Sequence, residues 1–346
     1  KHSVHANLLA LVSGRIYYNI LNWYELFLFV PGFEGLLPAW ERALGLPPRF
    51  VQQREPGKFG DKAWAVWRAL RRFQTLSKDV ETFQDDFNAL LAEFRERDLT
   101  RLDPQELYAL FEELCLRFLR PYAVSLGNDM YAQQFYDQLG KVIEKWDLAD
   151  DPSSLRNNLL CGESGMDSVE PIRSILALVG QIRKDDTLRA LFDSNADALD
   201  VWAAIHEREE FVSFRGALST HLDAYGDRTL HELKLETPSA REDPGFVVTM
   251  LRNYLRGGQN TAAMEEREHS IRSEAEAQLA KGLAGRPVRK RLFAWLLKNT
   301  RLTVTYRENL RLSRSRSAGM AKKIFRTLGE RFAAKGILAD PKDVFW

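Results

Sequence analysis

The chain has 346 residues, 45% of them apolar and 28% charged, an ordinary globular balance that excludes long disorder. Its two cysteines, Cys115 and Cys161, can make neither a disulfide framework nor a four-ligand zinc site, which points to a reducing, cytoplasmic setting. The net charge of +1 hides an asymmetry: residues 286–335 carry 15 Lys/Arg against two acids, while the remainder sums to −12.

In chain order, helix dominates, and the predicted fold is all-α, an elongated multi-helix domain of long amphipathic helices. Residues 4–30 lack alternation and read as a buried helix stopped by Pro31-Gly32. Gly14, Arg15, Asn19, Asn22 and Glu25 interrupt it, so it is neither a membrane span nor a signal peptide. A short helix over 36–44 closes at Gly45, and 52–60 is a polar loop. The spacing of Trp64, Trp67, Leu70, Phe73 and Leu76, continued by Val80, Phe83, Phe87, Leu90, Leu91 and Phe94, predicts a helix over 62–97.

Asp103-Pro104-Gln105-Glu106 opens the next helix: Asp as N-cap, Pro in the first turn, Glu reaching back from N3. It should run to about Trp146 with a kink near Pro121. A loop covers 150–167, and short helices cover 169–182 and 187–191. Residues 199–224 read as one helix ending on Gly226 as a left-handed cap. Asp243-Pro244 starts a helix to about Arg256, and 261–281 is a charged helix. Residues 288–335 form one very long helix, or two hinged near Gly319. Asp340-Pro341 begins a final turn.

The chemistry visible in the residues is limited. Cys161-Gly162-Glu163-Ser164-Gly165 is neither a Walker loop nor a nucleophile elbow and reads as a tight turn. None of the six histidines has a metal-ligand neighbourhood; His221 and His231, flanking Tyr225-Gly226, are the pair of interest. The sharpest feature is Arg307, Arg311 and Arg314, an i, i+4, i+7 stripe on one helix face. Stacked like charges repel, so something negative should face them: a phosphate, a carboxylate ligand or the acidic body of the chain itself. Guanidinium forks suit phosphate oxygens.

Five segments, in order, resemble one family. They are Gly14-Arg15-Ile16-Tyr17-Tyr18-Asn19 with Trp23-Tyr24; Gly162-Glu163 through Glu170-Pro171; Tyr225-Gly226-Asp227-Arg228 with Glu232-Leu233-Lys234-Leu235; Arg307-Glu308-Asn309-Leu310-Arg311; and Asp340-Pro341 through Phe345. Together they resemble the middle helical region of phosphoenolpyruvate-synthase-like proteins, the dikinase group that includes rifampicin phosphotransferase. The resemblance covers nearly the whole chain.

It implies a helical acceptor-binding central domain over 1–346, with 1–160 and 161–346 as possible subdomains. The nucleotide-binding domain and the swivelling phosphohistidine domain would lie elsewhere in a longer parent protein. No histidine here has the neighbours of the swivelling-domain motif, so the chain alone would be inactive and carry no catalytic residue. ATP and Mg would belong to the parent, with no cofactor or metal held by this chain. The expected partners are a small-molecule acceptor and those two domains, with no membrane and no nucleic acid. Arg307, Arg311 and Arg314 would contact substrate or phosphate, with Arg228 and Glu232 joining the same cleft. The alternative is a non-catalytic helical module whose basic C-terminal arm binds nucleic acid or an acidic partner.

Overall fold

A computed structural model describes residues 8–12, 15–27, 41, 45, 59–162, 170–226, 234–258 and 261–345. The fold is all-α, as the periodicity predicts; among the described residues the only strands are a short antiparallel hairpin.

That hairpin corrects the expected N-terminal helix. β1 (Leu9–Val12) pairs with β2 (Arg15–Tyr18), with Val12 opposite Arg15, and only then does α1 (Ile20–Phe27) begin. Val12, Ile16, Tyr17 and Tyr18, β-branched or aromatic, favour extended backbone in these two strands. Trp23 Nε1 donates to the Leu8 carbonyl oxygen at 3.1 Å and ties α1 to the hairpin. The helix expected over 36–44 falls almost wholly outside the described residues; Gly45, its expected stop, has φ 67°.

α2 (Phe59–Glu96) is the predicted amphipathic helix, and its apolar stripe from Leu76 to Phe94 is buried. α3 (Pro104–Leu119) begins with the full capping box: Asp103 accepts from Gln105 and Glu106 nitrogens, and Glu106 accepts from Asp103 N. The expected kink at Pro121 is a full break. The chain turns through Arg120–Tyr122 and restarts as α4 (Ala123–Lys145), because proline has no N–H for the helix ladder and its ring crowds the preceding turn.

α5 (Pro152–Leu159) occupies the expected loop, capped by Asp151, which accepts from Ser153 and Ser154 nitrogens. α6 (Glu170–Lys184) and α7 (Asp186–Asp193) follow. The helix expected over 199–224 is divided into α8 (Ala198–Glu207) and α9 (Val212–Tyr225) by a 3-10 turn at Glu209–Phe211. Phe211, 1% exposed, drops into the core there, and that burial outweighs the local helical preference of the charged residues before it. Gly226 caps α9 in right-handed geometry (φ −66°), not left-handed. Glycine suits the position because a Cβ would stand 2.4 Å from the Leu222 carbonyl oxygen.

α10 (Pro244–Arg256) and α11 (Thr261–Gly282) lead to α12 (Pro287–Ala334), a single continuous helix of 48 residues. At about 1.5 Å per residue it is roughly 70 Å long. It packs on α2, α3 and α4, so the basic segment is the central strut of the fold.

Three apolar clusters hold the molecule. One joins α2, α3 and the Leu310–Leu328 part of α12. A second, built by α6 to α10, centres on Phe192, Phe211 and Phe214. A third joins the end of α4, α5, α11 and the Phe293–Leu297 part of α12. Between the first and third clusters, α12 turns polar, and that stretch positions the candidate site.

Candidate functional site: the polar seam between two antiparallel helices

α4 and α12 run antiparallel. Trp146 packs near Phe293, Phe135 meets Trp295 with ring centroids 5.7 Å apart, and Asn128 reaches Thr303. At the apolar levels the pairing is aromatic and aliphatic. At the level of residues 125–129 of α4 and 299–315 of α12 it is polar: Ser125, Asn128, Asn299, Thr300, Thr303, Ser313 and Ser315 are all buried.

Most of these groups satisfy themselves. Thr300, Thr303, Ser313 and Ser315 donate their hydroxyls to carbonyl oxygens one turn earlier on α12, and Asn299 does the same with its amide. Asn128, wholly buried, donates from Nδ2 to the Thr303 carbonyl oxygen at 2.9 Å. Its Oδ1 has no hydrogen-bond partner. A buried carbonyl left in this state costs about 1–3 kcal/mol.

Asp129 stands beside it. Its Oδ1 is likewise covered and without a hydrogen-bond partner, although the side chain as a whole is 43% exposed. Arg307 Nε lies 3.6 Å from that oxygen, close enough for an ion pair and too far for a hydrogen bond. Burial pushes the Asp129 carboxyl above the usual carboxylate range. The positive charges of Arg307 and Arg314 pull against that shift, and Glu308 adds to it. Both charges favour the ionised carboxylate, Arg307 from 3.6 Å, and the i, i+7 spacing puts the two arginines on one face of α12. Arg307 is half exposed and Arg311 is exposed at the same face. Arg228 and Glu232 lie outside the described residues. Asp129 and Asn128 were missed in the sequence; the available signal was a run of small and polar residues, Ser125 and Asn128, at the inward positions of a helix.

Elsewhere α12 spends its cations on the body of the protein. Arg301 donates to the Leu159 carbonyl oxygen and pairs with Glu276 at 2.9 Å. Arg326 pairs with Glu242 at 2.8 Å, buried Lys322 donates to the Thr237 carbonyl oxygen, and Arg331 donates to that of Thr100. Arg289 stacks on Trp146.

His221 is buried, with Nδ1 2.9 Å from Ser174 Oγ, and burial pushes its pKa down to about 4. Both cysteines are free, half-buried thiols whose burial raises their pKa, so neither is an activated nucleophile. Among the described residues no group of three or more His, Cys, Asp or Glu comes together to hold a metal ion, and no helix is long and apolar enough to cross a membrane.

Fold and seam define a helical domain with an arginine-faced polar joint. The family described as the rifampicin phosphotransferase fourth domain matches residues 124–308, from the start of α4 into the middle of α12, and the chain belongs to that family. It is also similar to the prodigiosin synthesizing transferase PigC of Serratia marcescens, 23% identical over 257 residues. That similarity covers 73% of this chain and 26% of the relative, so the chain spans about a quarter of its length. The kinship with phosphoenolpyruvate-utilising, dikinase-like phosphotransferases expected from the motifs is thereby shown. The matched family segment contains Asn128, Asp129, Thr303 and Arg307 and ends before Arg311 and Arg314.

Proposed function

We propose that this chain is the acceptor-binding helical domain of a dikinase-type, ATP-dependent phosphotransferase, and that the α4–α12 seam is where the acceptor meets the transferred phosphoryl group. Nucleotide binding and the phosphohistidine carrier belong to other domains of a longer polypeptide, consistent with the greater length of the relative. The observation that carries this reading is the pairing of Arg307 with Asp129 at 3.6 Å at the edge of the seam, where the charge of Arg314 also favours the ionised carboxylate. A phosphoryl group in flight spreads negative charge over three oxygens, and fixed guanidinium groups stabilise it without reorganising.

The acceptor is a small organic molecule, in keeping with the biosynthetic name of the relative. The nucleic-acid alternative loses support because Arg301, Lys322, Arg326 and Arg331 are turned onto carboxylates and carbonyl oxygens of the chain. A cytoplasmic location is part of this reading, supported by the two free thiols.

The test is a set of replacements in the full-length polypeptide: Arg307→Lys, Arg311→Lys and Arg314→Lys keep charge and lose the planar fork. Transfer of label from ATP to acceptor should fall at least tenfold for Arg307→Lys or Arg314→Lys, measured per phosphohistidine formed. Unchanged transfer in all three would refute the assignment.

A further inference from the structure

The charged residues of α3 serve two faces. Glu113 and Arg117 are turned onto α2, where Arg117 pairs with Glu93 at 2.7 Å and Arg97 lies 3.5 Å from Glu113. Glu112 and Arg120 are exposed, and neither forms an ion pair among the described residues. Beside them stand three large apolar side chains, Tyr108, Leu116 and Leu119, which are 55%, 67% and 61% exposed. Tyr108, Glu112, Leu116 and Leu119 follow one another at helical spacings of four, four and three, so they form one outer stripe. The opposite face of α3 holds the buried Leu107, Leu110, Leu114 and Phe118. Arg120, the C-cap, keeps helical backbone and extends the stripe by one position.

The order of charge along this stripe has a two-fold character. Leu116 sits midway, four residues after Glu112 and four before Arg120. Turned end for end about Leu116, the stripe presents base where it had acid, so it is complementary to itself. A parallel pairing would set Glu112 against Glu112 and Arg120 against Arg120. The two charges cancel, which favours neither nucleic acid nor an anionic membrane as the occupant. We propose that a second copy of this chain docks here, α3 against α3 in antiparallel order. Leu116 lies at the two-fold axis, and Glu112 of each copy faces Arg120 of the other, an isologous contact. The apolar side chains supply the affinity and the charges fix the direction. A contact of one helix pair belongs to the small, weak class of interfaces, so the dimer should be half formed on the order of 100 μM.

The test is sedimentation equilibrium of the chain at rising concentration, in a reducing buffer so that its free thiols cannot link copies. A monomer–dimer equilibrium is expected. Glu112→Arg and Arg120→Glu should each weaken it about tenfold, because each reversal turns two attractions into two repulsions. Mixing equal amounts of these two variants should restore association, since the heterodimer again sets acid against base at both positions. Both positions are exposed, and circular dichroism checks that each variant keeps its helix content. A chain that stays monomeric at every concentration overturns the proposal and leaves the stripe to a different protein. A dimer indifferent to both reversals, or a mixture that associates no better than either variant alone, overturns it equally.

Discussion

Asn128 of α4 donates its side-chain amide to the main-chain carbonyl oxygen of Thr303 on α12, at 2.9 Å and with neither residue reachable by solvent. This bond crosses 175 positions of sequence and fixes the register of the two helices where their contact is polar. Apolar packing alone tolerates sliding; a buried bond with one partner does not. Asn128→Ala should therefore cost about 1–3 kcal/mol, read as a lower urea midpoint with unchanged slope. A neutral result would mean that the aromatic contacts on either side hold the register unaided.

The buried imidazole of His221 makes stability depend on pH. Its pKa lies at about 4 against 6.5 for a free side chain, because burial disfavours the charged ring. The unfolded chain therefore takes up the proton first as pH falls. The stabilisation is complete above 6.5, is lost progressively below it, and stops declining once the native ring also protonates near 4. The full difference is on the order of 3 kcal/mol. His221→Asn should flatten the stability profile between those limits; an unchanged slope would show that other groups set it.

Caps at Asp103 and Asp151 each satisfy two orphan nitrogens at the start of a helix. Asp103→Ala and Asp151→Ala should each cost about 1 kcal/mol, and the double variant about the sum, since they share no partner. Thermal melts of the two single variants and the double variant decide this.

The capping signal shows how far local sequence goes. Asp103-Pro104 was legible as a helix start, and Asp151-Pro152 carries the same signal within a stretch whose glycines argue for a loop. The break between α8 and α9 has no local signal: Glu207, Arg208, Glu209 and Glu210 all tolerate helix, and the chain leaves it because Phe211 gains more by burial in the second cluster. The hairpin at residues 9–18 was hidden for the opposite reason, being two four-residue strands without clear alternation. At the site, the arginine stripe follows from helical period alone. Its partner Asp129 lies 178 positions before Arg307, and only the antiparallel packing of α4 on α12 brings the two together.

Binding of a tetrahedral dianion to this face is open to direct measurement. Sulfate keeps its double charge at every pH of interest, so its titration against the chain reports the protein's own groups. Followed by NMR at the arginine side-chain Nε–H signals, sulfate should shift Arg307 and Arg314 saturably. Its affinity should rise as pH falls through the raised ionisation of Asp129, and Asp129→Asn should bind several-fold more tightly at neutral pH, because the competing carboxylate is gone. Shifts that grow without saturating, or that appear at Arg289 and Arg291 while Arg307 and Arg314 stay still, would contradict a phosphoryl-binding role for the seam.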